Sequence, residues 1–199
     1  AREPSLSLAF CSLLPAMPIA PASTLPNLLA EWQKRLQAWA LDGSLTAAAQ
    51  EALGLGGEPK ALADLVAAWA RGNFNALPPV VLLSASSMPG AAGAYAISTG
   101  AIYLNANWLE TASQAQVEAV LTEELGHHLD GLLNAVDTPG DEGELFAALL
   151  LGQGLTAAAR GAIAADKDQT LIQLGGTTLL AEASTITGTA LADTLIGGF

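Results

Sequence analysis

Apolar residues recur along this chain at two periods, and each period marks a different kind of element. In LPNLLAEWQKRLQAWALDGS, Leu28, Leu29, Trp32, Leu36 and Trp39 stand near helical spacing, and the pattern stops at Asp42-Gly43. A second helix opens at Ser44 and runs through LTAAAQEALGL. A third, EPKALADLVAAWARG, has Pro59 in its first turn and ends at Gly72. After NFNALPP the period changes. VVLLSAS (80–86) suits a buried strand, MPGAAG a turn, and AYAISTGAIYLN a hairpin bent at its Thr-Gly step. Helical spacing returns from about Thr111 through Leu129. A loop, DGLLNAVDTPG, then leads to the helix DEGELFAALLLG, whose start reads as Thr138 at the N-cap, Pro139 at N1 and Asp141 three residues after the cap. DQTLIQLGGTTLLAEAS reads as two strands joined by Gly175-Gly176.

These elements predict an α+β fold: an N-terminal helical layer, a small sheet, a polar helix with a following helix, and a C-terminal hairpin. The expected boundaries are a proline-rich arm at 1–24, a main domain at 25–165, the hairpin at 166–183 and a glycine-rich tail at 184–199. Residues 6–23 are apolar but broken by Pro15, Pro18 and Pro21, so they read as an extended arm packing on the domain. No uninterrupted apolar run of about 18 residues predicts a membrane span.

Composition narrows the partners. The chain of 199 residues is 51% hydrophobic and carries a formal charge of −12 with only seven Lys and Arg. That balance excludes nucleic acid, whose phosphates need cationic side chains, and disfavours anionic membranes. The lone Cys11 forms no intramolecular bridge, and it reads as a buried thiol; a role for it on a metal, holding an enzyme latent, is the alternative.

Both histidines fall in one stretch, AVLTEELGHHLDG. On a helix Glu123 lies one turn below His127, and Glu124 one turn below His128. The H-E-x-x-H arrangement uses this spacing to place two ligands on one metal, with the Glu beside the first acting as base. Glu123 and His127 then become ligands and Glu124 the general base. Glu124 with His128 is the alternative register, because the apolar stripe Val117, Val120, Leu121 and Leu125 runs directly into that pair. A catalytic ion usually keeps three protein ligands. Glu142 supplies the third, since it heads the stripe Leu145, Phe146 and Leu149 on the next helix; Asp141 and Glu144 are the other candidates. Asp130 and Asp137 are carboxylates placed to orient His127. Without a metal, the same Glu and His pairs read as a solvated helix face.

VLTEELGHHLD resembles the active-site helix of the zincin metallopeptidases, and GDEGELFAAL resembles the downstream helix of the gluzincin branch, with Asp141-Glu142 matching its Asn-Glu pair. The resemblance covers about Val80 to Leu151. It implies peptide-bond hydrolysis by metal-activated water, with zinc held by Glu123, His127 and Glu142 and with Glu124 as general base. Tyr95, Tyr103 and His128 are the candidates for stabilising the oxyanion; each tyrosine also reads as an ordinary strand aromatic. Glu123 stands where the family has His. A Glu, His, Glu set suits a harder ion such as manganese, and an inactive adhesion or assembly module is the alternative to a peptidase. ITGTALADTLIGGF resembles one turn of a hemolysin-type (RTX) calcium-binding repeat, and calcium binding there needs fuller repeats. The whole arrangement is similar to domains of large secreted cyanobacterial RTX proteins. It implies a fragment or short relative of such a protein, exported by type I secretion, acting on a peptide or protein substrate or on itself.

Overall fold

The computed structural model describes residues 21–186, so Cys11, most of the proline-rich arm and most of the RTX-like turn lie outside the described residues. Three helices come first: α1 (Pro21–Asp42), α2 (Ser44–Ala52) and α3 (Lys60–Ala70). α1 begins four residues before the expected Leu25 and contains Pro26, which forfeits one intrahelical hydrogen bond. The chain turns from α1 into α2 at Gly43, whose φ of 84° is strained for any residue with a Cβ. Trp32, Leu36 and Trp39 pack with Leu45, Ala49, Leu62 and Trp69, as their spacing predicts. The buried alanines of α2 let these helices approach closely.

The strands β1 (Val80–Leu83), β2 (Gly93–Ala96), β3 (Ala101–Asn105), β4 (Gln169–Leu174) and β5 (Thr177–Glu182) form one mixed sheet in the order β1-β3-β2-β5-β4. β1 and β3 are parallel, and the other neighbours are antiparallel. Both predicted hairpins form. β2 and β3 turn through Gly100, and β4 and β5 turn through Gly175 and Gly176, whose φ values of 57° and 85° match the two-residue turn that follows strand twist. The β4–β5 hairpin is continuous with the main sheet, because Glu182 pairs with Tyr95 of β2. One face of the sheet packs Ile102, Leu104 and Tyr95 against the helices, and the other buries Ala94, Ala96, Tyr103, Ile172 and Ala181 around Met88.

The remaining helices are α4 (Ala106–Leu109), α5 (Gln114–Leu133), α6 (Glu142–Leu150) and α7 (Ala157–Ile163). α5 carries the histidines. It starts at Gln114 and not Thr111, because Ser113 and Gln116 form a reciprocal capping box, and it continues one turn past Leu129. α6 also starts later than the sequence predicts. Asp141, not Thr138, is its N-cap, with Oδ1 accepting from Glu144 N at 2.6 Å. Gly140, at φ 101°, cannot belong to the helix, and Thr138 instead donates its hydroxyl to Asp130. α7 has no counterpart in the apolar pattern of the sequence. The α+β class is borne out, and among the described residues no helix is long and apolar enough to cross a membrane.

Candidate metal centre

Three glycines set how closely α5 is held. A Cβ on Gly93 would lie 2.4 Å from Val120 Cγ1 and 2.7 Å from Glu124 Oε1, so β2 must be bare where α5 crosses it. A Cβ on Gly126 would lie 2.7 Å from Gly143 Cα, and one on Gly143 would lie 2.5 Å from His127 Nε2. The α5–α6 crossing is therefore backbone against backbone, and it sinks His127 completely, its side chain having no exposed surface.

Carboxylates surround that imidazole on both nitrogens. Nδ1 lies 2.8 Å from Glu142 Oε1 and 3.4 Å from Glu182 Oε2; Nε2 lies 3.5 Å from Asp168 Oδ2 and 3.8 Å from Asp141 Oδ1. One potential ligand atom from each of Glu123, His127 and Asp141 lies within 4.8 Å of the others, and the same holds for His127, Glu142 and Glu182. These buried groups could hold a metal ion. The two sides differ in hydrogen bonding. Nδ1 is bonded to Glu142, whereas Nε2, Glu123 Oε1 and Asp168 Oδ2 are buried with no hydrogen-bond partner among the described residues. Unpaired buried polar atoms are costly and uncommon, and a cation between Glu123 and His127 is one partner that would satisfy two of them.

The protonation of these groups follows from the crowding. Burial works against a charged imidazole, but the hydrogen bond that Nδ1 donates to Glu142 and the charges of Asp141, Glu142 and Glu124 outweigh it and raise the His127 pKa well above 6.5. Burial, then Asp141 and Glu124, push Glu123 well above 4.5. Burial also raises Asp168 to about 6 and Glu182 to about 8, each partly offset by His127. Like charges held this close cannot all ionise without a counter-cation.

The other predicted residues separate by place. Glu124 is fully buried, and its Oε1 accepts from Ser184 Oγ at 2.7 Å and Ser184 N at 3.1 Å. Burial raises it to about 7 against the opposing effects of His127 and Ser184. His128 turns away from the cluster toward Tyr95, with Nδ1 3.1 Å from the hydroxyl and the rings edge to face at 5.4 Å. Burial lowers its pKa. Tyr103 lies on the sheet face opposite α5, its hydroxyl donating to Thr99 Oγ1, so β-alternation removes it from the site. Asp130 accepts from Asn134 and from Thr138 N and Oγ1, and so organises the loop after α5 and does not bond to His127. Asp137 groups with Asp130 and Glu142, and Glu144 with Asp141 and Asp166.

Asp168, Glu182 and Ser184 were not foreseen. Asp168 and Glu182 bracket the open end of the β4–β5 hairpin, where Gln169 pairs with Glu182. Two acids at the mouth of an otherwise uncharged hairpin are the available signal. Comparisons of the chain with protein-family models, with curated proteins and with solved structures gave no match.

Proposed function

We propose that this chain is a metal-dependent peptidase of the zincin-like kind, with a divalent ion held by Glu123, His127 and Asp141. The observation that carries the metal reading is that ligand atoms of Glu123, His127 and Asp141 lie within 4.8 Å of one another in the interior, where Glu123 Oε1 and His127 Nε2 have no hydrogen-bond partner among the described residues. One imidazole among carboxylates suits manganese at least as well as zinc. Bound there, such an ion supplies Lewis-acid polarisation of a scissile carbonyl and acidifies water. With Glu142 accepting a hydrogen bond from Nδ1, the Nε2 proton is the one an ion would displace from His127. Glu124, on the same helix and with a pKa of about 7, is matched to accepting and returning a proton near neutrality.

A second reading, an inactive module for adhesion or assembly in a secreted RTX-type protein, is favoured by one fact. Glu124 is wholly enclosed and committed to Ser184. Metal content and cleavage of a quenched peptide library, measured on the wild type, His127→Ala and Glu124→Gln, separate the two. The peptidase reading expects near-stoichiometric metal in the wild type and in Glu124→Gln, loss of metal in His127→Ala, and cleavage by the wild type alone. Metal without cleavage in any form sinks the peptidase and leaves the module; a wild type that takes up no ion sinks the metal centre itself.

A further inference from the structure

The carboxylates around His127 are most open on the side of the β4–β5 hairpin. The side chains of Asp168 and Glu182 are 10% and 23% exposed, against 3% and 2% for Asp141 and Glu142. The other walls are fixed, since α5 and α6 meet backbone to backbone at Gly126 and Gly143, and β2 lies against α5 at Gly93. Glu123, His127 and Asp141 are each more than nine-tenths buried. An ion among them therefore enters or leaves when a wall moves.

The hairpin is the wall least firmly joined to the rest. Within itself it is a continuous ladder from Gln169 and Glu182 to Leu174 and Thr177, but it pairs with the strand and turn of β2 at two places, Tyr95 with Glu182 and Ala91 with Thr185. The step from Ala91 to Tyr95 is one residue longer than that from Glu182 to Thr185, so a bulge interrupts the ladder between them. On the α5 side, the face that carries Glu182 continues into Leu171 and Leu180, paired across the ladder and each 57% exposed. On the other face the hairpin fully buries Ile172 with two alanines, Ala181 and Ala183. Small side chains gain little from burial, which puts this contact at the low end of local stability. The closed position also leaves Glu124 Oε2 and Asp168 Oδ2 buried with no hydrogen-bond partner among the described residues, and water reaching them on opening offsets part of its cost. Residues 164–167, exposed between buried Ile163 and Asp168, form the linker about which the hairpin turns.

We propose that the hairpin, residues 168–186, is a gate over the metal centre. Closed, it places Ser184 on Glu124, and Asp168 and Glu182 against His127. Open, it parts from β2 as an intact ladder, and Glu124 and the ligand side of His127 meet solvent. Ser184 is the latch, since its N–H and hydroxyl both bond to Oε1 of the carboxylate read as the general base. The gate regulates the site of the peptidase reading and rests on that reading for what passes through it. It reconciles a wholly enclosed Glu124 with cleavage of an external chain: turnover proceeds through the open state, and its rate follows the open fraction.

A reversible staple tests it. Ala92 N bonds to Ser184 O and Ile186 N to Gly90 O, so Ala91 and Thr185 between them are a non-hydrogen-bonded pair, with Cα atoms about 4.5 Å apart and within reach of a disulfide. The full chain carrying Cys11→Ser, Ala91→Cys and Thr185→Cys is compared oxidised and reduced by a phosphine, with Cys11→Ser alone as control. In chelator, the amides of Ser184 and Ala92 should exchange hydrogen together in the reduced form, faster than the Ile102 amide of the main sheet, and about tenfold more slowly once oxidised. Loaded with manganese, the oxidised form should release the ion to excess chelator about tenfold more slowly than the reduced form, and cleave peptide only after reduction. Ser184→Ala, in the natural chain, keeps the amide bond to Glu124 and loses the hydroxyl, so it should speed both exchange and manganese release with metal content unchanged; it serves also where the staple does not form. Ser184 and Ala92 exchanging only at the rate of Ile102, manganese release that neither the staple nor Ser184→Ala changes, or equal cleavage in both redox forms would each overturn the gate. Staple-controlled exchange in a protein that takes up no manganese, or that takes it up and cleaves nothing in either form, overturns the peptidase reading and leaves the gate standing.

Discussion

At the scale of single residues, the fate of His127 is decided by what lies on each ring nitrogen. Glu142 is bonded to Nδ1, and three carboxylates crowd Nε2 or stand near it. Glu142→Gln keeps the shape and loses the charge that supports the imidazole as a ligand, so metal affinity should fall about 10- to 100-fold, read by competition with a chelating dye. The carboxyls also set a pH dependence. Glu124, Asp168 and Glu182 have folded pKa values of about 7, 6 and 8, above their ordinary 4.5, 3.8 and 4.5. A raised carboxyl pKa means the folded state favours the proton, so its stabilising effect is full below the ordinary value and fades as pH rises through the folded one. His127, also raised, acts in the same direction. In chelator the Tm should therefore fall between pH 5 and pH 8. Added manganese, which favours the deprotonated groups, should raise Tm more at pH 8 than at pH 5. A chelated protein whose Tm climbs over that range would contradict the reading of the cluster. Glu123, Glu124 and His127 were legible as a group from their helical spacing; which nitrogen met which carboxylate was not, because that depends on residues 14 to 55 positions away.

At the scale of elements, the crossing of α5 and α6 rests on Gly126 and Gly143. Gly143→Ala puts a methyl 2.5 Å from His127 Nε2 and 2.7 Å from the Glu123 carbonyl, neither of which can move without displacing α5. It should cost about 1 to 3 kcal/mol in denaturant unfolding and abolish metal uptake. Wild-type metal content in that variant would place the ion elsewhere. The apolar periods identified α1 to α3 and the α5 stripe, and the Gly175-Gly176 turn located its hairpin. Helix ends were less legible, because competing caps lie within a few residues of one another. Thr138 and Asp141 both fit the start of α6, and the backbone at Gly140 decides between them. α7 is short, and it buries only Ile163 of its own residues, so its stripe is too brief to read.

For the whole molecule, the β4–β5 hairpin is the element that completes the site. Pairing with β2 brings Asp168 and Glu182 to His127 and carries Ser184 onto Glu124, 60 residues earlier in the chain. Ser184→Ala removes the hydroxyl from a fully buried carboxyl. Stability should drop by about 1 to 3 kcal/mol in denaturant unfolding, with metal content unchanged, since Ser184 supplies no atom to the cluster on Nε2. Loss of metal in that variant would show that the hairpin junction and the metal centre are one unit.

By itself the sequence determined the α+β class, the helical layer, both hairpins and the polar face of α5, because period, caps and turn residues act within a few positions of chain. Only the tertiary structure decided that the hairpin joins β2, that Tyr103 faces away, that Asp168 and Glu182 reach His127, and that Glu124 is enclosed by Ser184. Those outcomes depend on which strand edges pair and how closely glycines let helices approach. Such contacts join residues far apart in the chain, where no local period records them.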